Sequence, residues 1–214
     1  MARVAASGRV AASGRVSVPT SQNLILQSET FSSATWVKTQ SSVTADQIAN
    51  PITGAVTADI LNENAVNTTH QIAQAFAGFV RGQKYAFSVY AKNIDASVPC
   101  ILVATNGSVG PVFNLVTGAI TDTPATVTSE INSIGDGWYR CTCYMVMTVT
   151  SASPTIYTAV SAAVISHAGV NGPVHYIWGA QLVEANHPGL YTVTVGSSVN
   201  TGAMRNKTVS RVSA

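Results

Sequence analysis

Charge is what this sequence has least of. Asp, Glu, Lys and Arg make up only 9% of its 214 residues, where a soluble domain ordinarily carries about a quarter. Ser, Thr, Asn, Gly and Ala must cover its surface instead. Cysteine is scarce and odd in number: Cys100, Cys141 and Cys143. Cys141 and Cys143 stand two apart in a strand-like run and so face the same way. With no further Cys and no adjacent His they lack the set a zinc ion needs, and all three are expected as buried thiols. No apolar run approaches the ~20 residues of a membrane helix, and the first residues lack the apolar stretch of a secretory leader. A membrane partner, or export by that route, is not expected.

Catalytic patterns are missing too. None of the nine carboxylates pairs with another in a way that points to glycoside hydrolysis. Asp136 lies between two glycines, as a turn residue would. His167, His175 and His187 are near one another but lack a spacing such as His-Glu-x-x-His. No loop gathers enough Asp, Glu and Asn to claim a Ca²⁺ site. No catalytic residue, cofactor or metal ligand is assigned, and an enzyme is not expected.

What is present begins with a repeat. Residues 3–18 read RVAASGRVAASGRVSV. On a helix a six-residue step turns by about 240°, scattering Arg3, Arg9 and Arg15. On a strand, with its period of two, these arginines share one edge with Ser7, Ser13 and Ser17. Val4, Val10 and Val16 then share the other with Ala and Gly. The pattern predicts an extended partner-binding arm over residues 1–22. A second basic segment, 196–214, carries Arg205, Lys207 and Arg211. Between them, residues 23–195 hold five basic and all nine acidic residues, so the body carries −4 and the two ends +6. Basic ends on an acidic body point to docking on an acidic protein surface or on another copy. With no aromatics among the six cations, nucleic acid is not the expected partner.

The body alternates short apolar runs with turns. KYAFSVYA places Tyr85, Phe87, Val89 and Ala91 on one face, and WYRCTCYMVMTV does the same for Tyr139, Cys141, Cys143, Met145, Met147 and Val149. HYIWGAQLVE aligns Tyr176, Trp178, Ala180 and Leu182. CILVA (100–104), VFNLV (112–116), PTIYTAVSAAVI and LYTVTV (190–195) add further strands, and TTHQIAQAFAGFV (68–80) is read as strand rather than helix. Turn signals separate the runs, at Asn106-Gly107, Thr117-Gly118 and Gly135-Asp136-Gly137 among others. Many short strands without an amphipathic helix predict an all-β, antiparallel two-layer sandwich.

NLILQSETFSSATW (23–36), GQKYAFSVYAK (82–92), FNLVTG (113–118), GDGWYRC (135–141) and YIWGAQLVE (176–184) occur in that order. Together they resemble a family of jelly-roll domains, similar to carbohydrate-binding modules, found in virion proteins of tailed bacteriophages. The resemblance implies a jelly roll over most of the chain and residence in a phage particle assembled in the host cytoplasm. It leaves the task open, since one fold serves several. Trp36, Trp138 and Trp178 each read either as core rings or as sugar-stacking platforms. The leading expectation is a capsid decoration or cement protein, held by its terminal arms and forming a homotrimer. The alternative is a tail-associated receptor or glycan-binding adhesion module.

Overall fold

The computed structural model describes residues 22–106, 109–162, 164–197 and 199–200. The arm residues Arg3, Val4, Arg9, Val10, Arg15 and Val16, and the tail residues Arg205, Lys207 and Arg211, lie outside the described residues. In chain order the strands are β1 (Gln22–Asn23), β2 (Trp36–Thr39), β3 (Ser41–Ala49), β4 (Val56–Glu63), β5 (Asn67–Thr69) and β6 (Gln71–Gln74). Then follow β7 (Phe76–Ala77), β8 (Lys84–Asn93), β9 (Cys100–Ala104), β10 (Val112–Asn114), β11 (Ala119–Asp122) and β12 (Val127–Gly135). The last are β13 (Trp138–Val146), β14 (Ser151–Ala152), β15 (Thr155–Ala159), β16 (Ser166–Ala168), β17 (Pro173–Glu184) and β18 (Val199–Asn200). Among the described residues there is no helix.

Two six-stranded sheets form the body, in the orders β11-β10-β9-β15-β6-β2 and β12-β13-β8-β17-β4-β3. Their pairings are antiparallel throughout. The expected all-β, two-layer jelly-roll sandwich is therefore what the chain forms. Three two-stranded ribbons, β1/β18, β7/β14 and β5/β16, complete it. The segment 68–80 is strand rather than helix, as expected, in β5, β6 and β7, and residues 78–80 lie outside any strand.

The alternation in β8 and β13 does what its period dictates. Tyr85, Phe87, Val89 and Ala91 meet Cys141, Cys143 and Met145 in the core, together with Ile72, Ile101, Phe113, Ile156 and Leu182 from other strands. All three cysteines are free and buried, as expected. Burial pushes the Cys143 thiol up to about 12, which keeps it protonated and unreactive.

In β17 the expected alternation breaks. Ala180 and Leu182 do enter this core, but Trp178 and Tyr176 belong to a separate cluster on the outer face, with Ala58, Tyr90 and Trp138. The cause is a bulge: Trp178 pairs with Tyr90 and Gln181 with Ser88, so β17 spends one residue more than β8. Gly179 takes it up at φ 63°, a left-handed conformation in which glycine has no Cβ penalty. One inserted residue reverses the face of every side chain before it.

LYTVTV does not become a ladder strand. Only Val195 keeps a bridge, to Gln27. Beside one backbone bond, from Ser28 N–H to Thr194 O (3.3 Å), side chains bind this segment. Thr192 N–H donates to Gln181 Oε1 (3.2 Å), Thr194 N–H to Ser28 Oγ (2.8 Å), and Gln181 Nε2 to Pro188 O (2.5 Å) and Leu190 O (3.2 Å). With side chains serving as backbone partners, a further strand is not needed to satisfy it. Asn23 is fully buried at the centre of this arrangement. Its Oδ1 accepts from Ile25 N–H and Leu182 N–H, both 3.1 Å, and its Nδ2 donates to Thr192 O (2.7 Å) and Ala180 O (3.3 Å).

Two substitutions test these devices in urea unfolding. Gly179→Ala meets both a positive φ and Tyr90 Cδ2 at 3.0 Å; it should lower stability by about 2 kcal/mol, from the backbone cost plus crowding. Asn23→Ala strands two buried N–H groups and should cost about 3 kcal/mol, with an unchanged denaturant slope.

Candidate functional site

The outer face of the β8–β17 sheet carries an aromatic cluster. Tyr90 lies 5.4 Å from Trp178, and Trp138 lies 6.5 Å from Tyr176. The C-terminal segment crosses over it, and the Tyr191 ring packs 4.5 Å from Trp178 and 6.0 Å from Tyr90. Arg140 sits 5.3 Å above Tyr90 and donates to Gly189 O at 2.8 Å, tying the segment down. Trp178 is 1% exposed, Trp138 4% and Trp36 1%. Trp36 packs 5.0 Å from Phe31 and donates Nε1–H to Gln27 O. A ring covered on both faces cannot stack on a sugar, so the sugar-stacking role considered for these three tryptophans is corrected to packing. Among the described residues no Phe, Tyr or Trp is fully exposed, and Phe76, Tyr139, Tyr176 and Tyr191 are half-buried.

Beside this cluster opens a cavity of about 160 Å³, lined by Glu29, Thr30, Ser32, Ala45, Asp46, Thr57 and Asp59. Three separate segments build it. Glu29 and Thr30 come from the loop before β2, and the Tyr191 hydroxyl donates to Glu29 at 3.1 Å. Asp46 lies at an irregularity of β3, with φ 56°. Asp59 and Thr57 come from β4. Asp59 fixes the other two segments: its Oδ1 accepts from Asp46 N–H and its Oδ2 from Phe31 N–H, each at 3.0 Å. Thr57 Oγ1 accepts Trp178 Nε1–H at 3.1 Å, so the cavity wall and the aromatic cluster share a side chain.

The cavity's electrostatics follow from burial. Desolvation pushes the Asp59 carboxyl from an ordinary 3.8 to about 6; the nearby Asp46 charge adds to the rise, and the two backbone N–H groups and Lys38 oppose it. Glu29 is raised for the same first reason. Lys38 donates Nζ–H to Ser32 O and Ser33 O, and burial lowers its pKa while Asp59 opposes that. The cavity thus offers carboxylate acceptors, hydroxyls and a neighbouring ammonium, the groups that meet a hydroxyl-rich ligand. Sequence reasoning missed it because Glu29, Asp46 and Asp59 are separated by 12 residues or more; the signal is spread over a loop and two strands, none of them acidic by itself.

A second polar group lies elsewhere. Among the described residues one set of three potential metal ligands closes to within 4.8 Å: Glu63, His70 and His167, all buried. Of the three neighbouring histidines in the sequence, His167 and His175 are buried, and His187 is exposed beside Tyr144. His175 Nε2–H donates to Cys100 O (3.2 Å), and burial holds its pKa down at about 4, so it is neutral. His70, which sequence spacing did not connect to the others, is the residue that joins His167.

No family model matches the chain, and no curated protein matches it in sequence. Among solved structures it is similar to the enzymatically active domain of tailspike protein 4 from bacteriophage CBA120, at 13% identity and a TM-score of 0.44, over 75% of this chain and 21% of that one. It is also similar to the mannan-recognising carbohydrate-binding module TmCBM27, at 13% identity and a TM-score of 0.32, over 71% of this chain and 90% of that one. The chain spans about a fifth of the tailspike structure's length. Likenesses at this level transfer no activity or ligand.

The cavity generates a pH prediction. Asp59 binds its proton more tightly in the folded state, so its contribution to stability is full below about pH 4 and is lost as pH rises to about 6. Side-chain carboxyl NMR should show one carboxyl titrating near 6, absent in Asp59→Asn. A midpoint near 4 for Asp59 would contradict the assigned burial effect.

Proposed function

We propose that the chain is a non-enzymatic binding module of a bacteriophage particle, joined to its neighbours through two basic ends and offering its acid-lined cavity to a glycan of the host surface. The observation that carries this reading is the β1/β18 ribbon, in which Gln22 pairs with Asn200 and Asn23 with Val199. Residues 1–21 and 201–214 therefore join the body at one place. Arg3, Arg9 and Arg15 belong to one end and Arg205, Lys207 and Arg211 to the other, against a body of −4. Each exposed ion pair contributes only about 0.2–1 kcal/mol, but two tethers on one origin act at a high effective concentration toward a single acidic surface. The phage setting is supported by the motif resemblance. The glycan is supported by the cavity's carboxylates and hydroxyls, which accept and exchange hydrogen bonds with sugar hydroxyls.

Capsid decoration is the second reading, and one observation favours it. With all three tryptophans buried, the body lacks a tryptophan stacking platform, while shell binding requires none. A homotrimer on the shell belongs to that reading.

Deletion of residues 1–21 together with 201–214 should leave a body with native near-UV circular dichroism that no longer joins particles. Equal incorporation of the deleted chain would remove the anchoring role. Quantitative mass spectrometry of particles then separates the readings: a few dozen copies support the tail module, and hundreds support decoration. A glycan array on the full chain, with Glu29→Gln as control, reads the cavity directly.

A further inference from the structure

The Glu63, His70 and His167 cluster stands apart from the cavity and from the proposed anchor. Glu63 ends β4 in one large sheet, His70 immediately precedes β6 in the other, and His167 lies in the middle of β16, paired with Thr68 of β5. The three side chains therefore meet where both sheets and a ribbon converge.

The hydrogen-bond inventory of this cluster does not balance. Glu63 is well supplied: Oε1 accepts from Thr158 Oγ1–H and, at 2.9 Å, from His167 Nε2–H, and Oε2 accepts Val170 N–H at 3.2 Å. The histidines are not. His70 Nδ1 lies 2.8 Å from Gln40 O, a carbonyl that only accepts, so this nitrogen carries the ring proton. The remaining Nε2 lone pair then faces another acceptor, His167 O, at 3.3 Å. His167 Nε2 meets the Glu63 carboxylate, and its Nδ1 is buried without a partner and can carry the ring proton when Nε2 is a ligand. One ligand atom from each of Glu63, His70 and His167 then lies within 4.8 Å of the others. A cation at that point accepts the His70 Nε2 lone pair, which otherwise faces an oxygen, and takes the place of the His167 proton at Glu63.

The donor types select the cation. Two imidazole nitrogens and one carboxylate suit zinc and similar first-row ions rather than Ca²⁺ or Mg²⁺, which take oxygen. Ligand atoms on a tetrahedral ion with ~2.0 Å bonds stand about 3.3 Å apart. The Glu63–His167 contact of 2.9 Å and the 4.8 Å limit on the set bracket that spacing. The orienting contact of His70 also has the form found around metal-bound histidine, with the far ring N–H held by the Gln40 carbonyl. The backbone is moulded to the ring: a Cβ on Gly169 would lie 1.9 Å from Asn64 O and 2.7 Å from His70 Cε1.

We propose that Glu63, His70 and His167 bind a divalent zinc-class ion that ties the two sheets and the β5/β16 ribbon together. Burial of all three residues makes the site structural, with no opening for a substrate. A second ring proton on His70 would supply positive charge in place of the ion, and the experiment distinguishes the two.

Untagged full-length chain is stripped with chelator and titrated with Zn²⁺ by calorimetry, with metal content measured after dialysis. The expected result is one zinc per chain and a rise in Tm of about 5–10 °C at a hundredfold excess over Kd. Co²⁺ in its place should give the visible bands of a four-coordinate ion. His70→Gln and His167→Gln should each abolish stoichiometric binding, whereas His187→Gln, at the exposed histidine, should leave it intact. Should either cluster variant fail to fold, the wild-type titration and Co²⁺ spectrum decide alone. A stripped wild-type chain with no zinc uptake and no Tm change overturns the proposal, and so does binding that survives His70→Gln or disappears in His187→Gln.

Discussion

The Asn23 side chain holds the fold closed. One amide joins the first strand of the body to β17 and to the segment that returns across it, through four hydrogen bonds. Irregular backbone can be buried only if every N–H and C=O finds a partner, and the crossing segment has no neighbouring strand to supply them. Asn23, Ser28 and Gln181 take the strand's place. Gln74 does the same for the opening segment, accepting Leu26 N–H at 2.7 Å. Once that segment is fixed, Tyr191 covers Trp178 and Tyr90, and the central strands become buried on both faces. The cavity depends on the same closure, because Tyr191 also positions Glu29.

This dependence explains which parts of the structure were legible in the sequence. Alternating apolar residues mark the core face of a strand, and β8 and β13 are legible in the sequence on that basis, although their other face is largely buried too. Alternation says nothing about where a strand bulges. Gly179 was visible in HYIWGAQLVE, but its φ of 63° arises from the pairing with β8, and so the faces of Tyr176 and Trp178 were misread. LYTVTV has a strand's composition and lacks only a strand's neighbour. Its partners are side chains more than 160 residues away for Asn23 and Ser28, which no local pattern encodes. The tryptophans admitted two readings because a large ring with one N–H suits either a core or a platform; burial, a tertiary property, separates them.

The same reasoning applies to the polar sites. A sequence motif for a metal or a catalytic pair relies on ligands brought together by one turn of helix or one loop. In a sandwich, neighbouring strands arrive from distant parts of the chain. Glu63 and His167 stand 104 residues apart and meet at 2.9 Å, and Phe31 meets Asp59 across 28 residues. Spacing rules that serve helical sites are blind to such contacts.

Low charge content then acquires a structural meaning. Among the described residues the only ion-pair geometry is His167 with Glu63. The other partly or fully buried carboxylates rest on neutral donors: Glu29 on Tyr191, Asp59 on two backbone N–H groups, Asp95 on Ser97 N–H and Oγ–H, and Glu130 on Tyr144 at 2.6 Å. Hydrogen bonds from neutral groups act at contact range and are scarcely screened, whereas exposed charges lose their reach over about 8–10 Å at ordinary ionic strength. The cations of the body are few, and six of the chain's eleven lie in the terminal segments. Cohesion of the body therefore rests on contact-range hydrogen bonds and packing, which salt scarcely screens, whereas the anchoring proposed for the two basic ends would be screened.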